Sequence, residues 1–347
     1  MPETRPAATL ERPGFSRARL AAIGLALVCL LALPFAASGY QTFQFSQVVI
    51  YAIALLGLNL LTGVNGQISL GHGAFFAIGG YVAAILIVKF GLAYGVAIPI
   101  AGLVCFAAGF LFGLPALRLG GIYLALATFA LAMATPQLLK FKAFDAYTGG
   151  VQGLLLAKPK APLGLPLTRD QWLYFLCLAC AIPLFWAAAN LVNSRIGRAL
   201  IAIRDHQIAA ETMGVDAALY KTTTFGVSAA YTGVAGALMS LIVGFVSPDS
   251  FGFFLSLSLL VGIVVGGLAS IPGVVVGALF IEFIPNFADR VSDVLGESAK
   301  AAPWAIYGIL LILIMYAAPS GAAGAAKKLA QAAERRCRGR QRSIATR

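Results

Sequence analysis

Residues 60–81 read LLTGVNGQISLGHGAFFAIGGY, from Leu60 to Tyr81. The flanks are apolar, yet the centre carries Asn65, Gln67, Ser69 and His72 interleaved with Gly63, Gly66, Gly71 and Gly73. In a lipid-embedded chain, irregular backbone survives only where it is packed within protein or lines a wet cavity. The stretch therefore predicts a broken or re-entrant segment over 63–73 beside a cavity, with a helix opening near Gly71. A helix N-terminus facing that cavity would offer unpaired N–H groups and partial positive charge, suited to a carboxylate. The competing reading is a tight interfacial turn with ordinary hydrogen bonding. A lone histidine such as His72 is more often a structural hydrogen-bonder than a ligand. The other histidine, His206, lies far along the chain, so a histidine metal cluster is not expected and no metal site is assigned.

The composition makes lipid the solvent. Of 347 residues, 60% are hydrophobic and 11% charged, where a soluble domain carries roughly a quarter charged residues. Apolar runs predict about ten membrane spans. Their limits fall near 20–38, 46–64, 73–89, 94–114, 121–139, 171–191, 221–246, 252–269, 272–288 and 302–318. The expected fold is an all-α polytopic membrane protein, a bundle of these helices. It divides into an N-terminal segment (1–19), a transmembrane domain (20–318, with a loop at 194–220) and a basic tail (319–347).

The net charge of +12 is unevenly placed. Positive residues gather at Arg5, Arg12, Arg17 and Arg19, between Arg195 and Lys221, and in the tail KKLAQAAERRCRGRQR. With the N-terminus inside, an even number of spans returns all three to the cytoplasm, as the positive-inside rule requires. The slightly acidic connection 289–301, with Asp289, Asp293 and Glu297, falls outside. The loop 140–170 dissents, carrying Lys140, Lys142, Lys158, Lys160 and Arg169, but long loops obey the rule less strictly. Charge so distributed points to membrane lipids and not to nucleic acid. A cleaved signal peptide ending near PFAASG is the alternative for the first apolar run, which is long for such a peptide.

Glycine pairs at Gly109/Gly113, Gly262/Gly266 and Gly273/Gly277 are spaced for close helix packing in lipid. So are the stripes Gly73, Ala77, Gly80, Ala84 and Gly236, Ser240, Gly244. Cys177 and Cys180 are spaced as C-x-x-C but sit in an apolar run, where cysteine packs as a small hydrophobe. A faint echo links GQISLGHG to GLASIPG (Gly267 to Gly273), both between spans on the inner side. Glu282 is the carboxylate placed well inside a span, and an intramembrane ionisable group is a functional candidate by default. Without a visible partner, a structural role stays equally open. No G-x-x-x-x-G-K-[ST] phosphate loop and no G-x-S-x-G elbow occurs, so ATP hydrolysis would have to come from another chain.

The second informative stretch is SRIGRALIAIRDHQIAAETMGVDAALYK, Ser194 to Lys221. Ser194 can cap a helix running through Ile203, and Asp205 a second one from His206 to Met213. Gly214 can close it in the left-handed conformation, and Asp216 can cap the next span. A rigid short helix on the cytoplasmic face would make a docking knob; a solvated amphipathic connector is the alternative.

IAAETMG resembles the E-A-A…G signature of ABC importer permeases, with Glu211 displaced after Ala209–Ala210. GRALIAIRDHQIAAETMGV is similar to the coupling loop of the branched-chain amino acid permease family, LivM-type subunit, and NLLTGVNGQISLGHGAFFAIGGY to that family's other hallmark. GIYLALATFALA and TGGVQGL also fit, and the likeness spans residues 45 to 318. The resemblance implies a type II importer permease with a short coupling helix. It would work with a second, LivH-like permease subunit, two ATP-binding subunits that hold ATP and Mg, and a periplasmic substrate-binding protein, in the bacterial inner membrane. The chain itself would bind no cofactor and catalyse no reaction. The resemblance puts Arg198, Arg204, Asp205, Glu211 and Gly214 in ATPase docking. It puts Asn65, Gln67, Ser69, Gly71, His72 and Gly73 on or near the translocation path. One departure is Val151–Gln152 in TGGVQGL, where relatives often carry small or Asn/Asp residues. Leucine, isoleucine and valine are the default cargo, with urea and short amides as rivals. An ion-coupled secondary transporter would require paired intramembrane carboxylates, and an intramembrane enzyme would require a convergent catalytic cluster.

Overall fold

The computed structural model describes residues 17–116, 121–159, 161 and 166–295, together with 308, 312, 316, 321 and 324. The span expected at 302–318 falls largely outside the described residues. So do most of the N-terminal segment and the basic tail, with Cys337, and the acidic Glu297.

Long helices follow one another: α1 (Arg17–Ala36), α2 (Gly39–Leu58), α3 (His72–Val88), α4 (Tyr94–Ala116) and α5 (Ile122–Leu139). A short α6 (Asp145–Thr148) and the two-residue strand β1 (Leu154–Leu155) precede α7 (Arg169–Asn193). Then come α8 (Arg195–Thr212), α9 (Ala217–Val243), β2 (Phe245–Val246), α10 (Phe253–Gly266) and α11 (Ile271–Leu295). Each of the first nine expected spans coincides with one of these helices. Among the described residues, six helical stretches are long and apolar enough to cross a membrane: Gly39–Val64, Tyr94–Pro115, Ile122–Leu139, Arg169–Asn193, Ala217–Val243 and Pro248–Gly266. His72–Val88 and Ile271–Phe287 are apolar but shorter.

Where helices begin earlier than hydropathy suggests, polar caps explain it. Ser38 accepts from the Gln41 backbone N–H while the Gln41 side chain accepts from Ser38 N–H, a capping box that opens α2 at Gly39. Thr168 and Gln171 do the same for α7. An apolar run marks where lipid is crossed, whereas a cap marks where the backbone starts to coil.

The bundle is built around α9, which packs along α2, α3 and α4 and is largely buried, while α5 and α7 bury far fewer of their residues. Small residues make these contacts. A Cβ at Gly236 would collide with the Phe76 carbonyl of α3, and one at Gly109 with Ala229 of α9. The Gly262/Gly266 and Gly273/Gly277 pairs interlock: Gly277 abuts the Gly262 carbonyl and Gly266 the Gly273 carbonyl, seating α10 on α11. Close backbone approach replaces the hydrophobic drive that lipid lacks between helices. At one end of the bundle TGGVQGL forms a tight turn after α6. Leu154 and Leu155 then pair antiparallel with Val246 and Phe245, and Val151 stands out at the tip.

Candidate functional site

Helix α2 does not simply stop. Its last turn loosens into a π-helical turn, Asn59–Val64, and the chain runs non-helical from Asn65 to Gly71 before α3 starts at His72. Gly66 takes φ +76°, a value that favours glycine, and the Arg204 side chain lies where its Cβ would point, 2.6 Å from Cγ. A π turn leaves backbone groups out of register with the α ladder, and such turns gather at functional positions.

Much of the linker's polar surface finds partners within the linker or on α5, where bare groups in hydrocarbon would cost several kcal/mol each. Thr62 Oγ1 donates to Gln67 O at 3.0 Å, and Gln67 N–H donates to Leu61 O at 3.1 Å. Asn65 Nδ2 donates to Gln67 Oε1 at 3.0 Å. Leu70 N–H donates to Thr128 Oγ1 of α5 at 2.9 Å.

The start of α3 corrects one expectation. Its N–H groups do not face an open cavity. Gly71 N–H donates to Ser69 Oγ, and Gly73 N–H to Ser256 Oγ of α10 at 2.9 Å. Gly71 sits against the Thr128 carbonyl, with no room for a carboxylate. Side-chain hydroxyls occupy the positions an anion would need.

His72 is structural in the same sense. Ser228 Oγ of α9 donates to Gly57 O at 2.6 Å, so it accepts from His72 Nε2–H, also at 2.6 Å. Nδ1 then accepts from Ser69 Oγ at 2.9 Å. The ring is fully buried, with Phe75 and Phe225 against it. It ties the linker, α2 and α9 together through a neutral imidazole with both nitrogens satisfied.

Of the six residues assigned to a path, Asn65 and Gln67 line a cleft and the other four are packed inside the bundle. The cleft has a volume of about 260 Å³ and lies between the linker and α8. The hydrogen-bonding network also includes residues the sequence reading passed over. Asn59 accepts from Ala269 N–H at 2.8 Å, which brings the turn after α10 against the π turn. The similar stretches GQISLGHG and GLASIPG thus belong to two joints that meet. Ser228, Ser256 and Thr128 carry no signal of their own in sequence, as small hydroxyl residues within apolar spans; Asn59 has one, an amide four positions before a glycine.

The expected two-part loop is present as α8. Ser194 caps it, accepting from Ile196 and Gly197 N–H. The break falls at His206, with φ −152° and ψ 91°. Asp205 is not the cap of the second part: its carboxylate is held by Arg204 at 2.9 and 3.0 Å, and His206 takes the non-helical position. Gly214 closes the loop at φ +84°, and Asp216 caps α9 by accepting from Leu219 N–H.

Arg204 turns inward. Its Nη1 donates to the Gly63 carbonyl of the π turn at 3.0 Å. Arg198 and Glu211 are exposed, Arg198 reaching Asn193 O and Glu211 accepting from Gln207, which in turn accepts from Lys221. Beside them Ile208 and Met213 are 80% and 85% exposed, bare apolar side chains on a charged loop. The sequence reading weighed the charges there and missed these two.

Glu282 of α11 is buried, and among the described residues the ion pairs are Lys140–Asp249 and Arg204–Asp205, neither of which involves it.

The chain has clear relatives. Residues 42–318 match the family described as branched-chain amino acid transport system / permease component. The high-affinity branched-chain amino acid transport system permease protein LivM of Salmonella typhimurium is 32% identical over 85% of this chain and 72% of that protein. LivM of Escherichia coli K12 matches to the same extent. The permease protein BraD of Pseudomonas aeruginosa is 25% identical over 79% of this chain and 91% of its own length. No solved structure matches. With four-fifths of its length inside the matched region, the chain belongs to the family of branched-chain amino acid transport system permease components.

Proposed function

We propose that this chain is a permease subunit of an ATP-driven importer that carries branched-chain amino acids across the inner membrane. About ten spans, with both termini cytoplasmic, would form one half of the translocation unit. A second permease subunit would form the other half. Two ATP-binding subunits would supply the work, and a soluble binding protein on the opposite side would deliver the cargo. The names of the LivM and BraD relatives favour branched-chain amino acids over urea and short amides. The lack of an ionic partner for Glu282 among the described residues gives no support to ion coupling.

The observation that carries this reading is the construction of α8. It is a capped, kinked knob that presents Ile208 and Met213 outward and sends Arg204 inward to the broken segment after α2. A partner docked on the outward face can push on the linker through one side chain. Such exposed apolar residues rimmed by charge mark an interaction surface. Arg198 and Glu211 would form its polar rim, and ATP and Mg would be held by the partner.

Purification of the full chain with its native membrane partners in mild detergent tests this. Recovery of an ATPase bearing a phosphate-binding loop, together with a second polytopic chain, is the expected result. Isolation of the chain alone, in a form active in transport, would refute it.

A further inference from the structure

The cleft between the linker and α8 contains features that the linker's own hydrogen bonding does not explain. Asn65 is 2% exposed and lines it, and among the described residues its Oδ1 has no hydrogen-bond partner. Lys221 also lines it; among the described residues its ammonium makes one hydrogen bond, to Gln207 Oε1, and has three protons to give. Arg204 adds positive charge, although its guanidinium is committed to Gly63 and Asp205. Three aliphatic side chains, Ile68, Leu124 and Ile203, also line it, beside the amides of Gln67 and Gln207.

An orphan acceptor, a cation with spare donors and an aliphatic wall form a set with one simple complement. We propose that this cleft binds an α-amino acid as its zwitterion, with the carboxylate on Lys221, the ammonium on Asn65 Oδ1 and an aliphatic side chain against Ile68, Leu124 and Ile203. A plain anion would leave Asn65 unpaired, and an amine would leave Lys221 unpaired. The proposal rests on the transport reading and adds to it a cargo station on the α8 side. Because Arg204 and Gln207 belong to both the cleft and α8, occupancy there is felt by the docking knob. The site is then a station where cytoplasmic amino acid reports back to the motor.

The test uses the assembled complex in nanodiscs, without its soluble binding protein, and labelled L-leucine. On the wild type, leucinamide, which lacks the carboxylate, and isocaproate, which lacks the ammonium, should each compete at least tenfold more weakly than leucine. Lys221→Met should bring leucine down to the affinity of leucinamide, and Asn65→Ala down to that of isocaproate. Leu124→Trp, which fills the cleft, should abolish binding. Absence of saturable leucine binding overturns the proposal, as does equal competition by isocaproate or leucinamide; both are read on the wild type, so neither depends on a variant folding. Undiminished binding in Lys221→Met and Leu124→Trp also overturns it. If the same complex imports leucine with ATP and its binding protein while the cleft stays empty, the transport reading stands and this site falls. If the chain binds leucine in this pattern but recruits no ATPase, the site stands and the transport reading falls.

Discussion

The Arg204 guanidinium donates to the Gly63 carbonyl at 3.0 Å across 141 positions of sequence. One hydrogen bond thus joins two segments that look unrelated along the chain, the glycine-broken end of α2 and the charged loop before α9. Gly66 presses on the aliphatic stem of the same arginine, so both stem and head hold the joint. A force on α8 therefore reaches the π turn without an intermediary.

Arg204→Ala removes this link. A hydrogen bond to a charged group contributes about 1.5–3 kcal/mol, so uptake should fall roughly tenfold or more. If partner ATPases dock around Ile208 and Met213 as proposed, they should still co-purify, because the Arg204 guanidinium is tied to Gly63 and Asp205. Arg204→Lys should restore little, since an ammonium lacks the fork that reaches Gly63 and Asp205 together. Uptake assays paired with pull-downs separate the two effects.

Ile208→Asp and Met213→Asp should do the reverse. Their side chains are exposed, so the fold should keep its thermal stability while recovery of the ATPase drops severalfold. Glu211→Ala, on the polar rim, should change recovery less, because exposed ion pairs are worth at most about 1 kcal/mol.

Ser228→Ala leaves His72 Nε2–H and the Gly57 carbonyl without their shared partner. An unsatisfied buried polar group costs roughly 1–3 kcal/mol, so the melting temperature in detergent should fall. Ser228→Thr keeps the hydroxyl and should fall less if α9 tolerates the added methyl. An unchanged melting temperature for Ser228→Ala would show that the histidine is not a structural tie.

Gly236→Val drives two methyl groups into the Phe76 carbonyl, where α3 and α9 cross. Overpacking of this kind costs about 1–3 kcal/mol or more, and backbone cannot step aside as a side chain can. Poor yield of folded protein is expected. Gly95→Val at the start of α4, where nothing among the described residues lies within 4 Å, should be tolerated and serves as the control.

The helices were legible in the sequence because lipid imposes a length and a composition on each span. The α8 knob was legible because Ser194, Gly214 and Asp216 are local signals whose chemistry acts within a few residues. Asp205 misled for a reason that is not local: a carboxylate beside Arg204 pairs with it when that arginine is held by Gly63, and so it cannot cap. The same distance effect hid the hydroxyls. Nothing near Ser256 or Thr128 in sequence says that they satisfy N–H groups of residues 73 and 70, and so the start of α3 read as an open anion site. The break itself was visible at Gly63–Gly73, but whether its polar groups faced water or protein depended on partners from α5, α9 and α10.

We propose that work enters this chain from a separate motor through α8. Reconstitution into liposomes tests it most directly, measuring leucine uptake by the chain alone under an imposed ion gradient and by the chain with its permease and ATPase partners supplied with ATP. No accumulation is expected in the first case and ATP-dependent accumulation in the second, lost with Arg204→Ala. Uptake by the isolated chain, driven by the ion gradient, would contradict it.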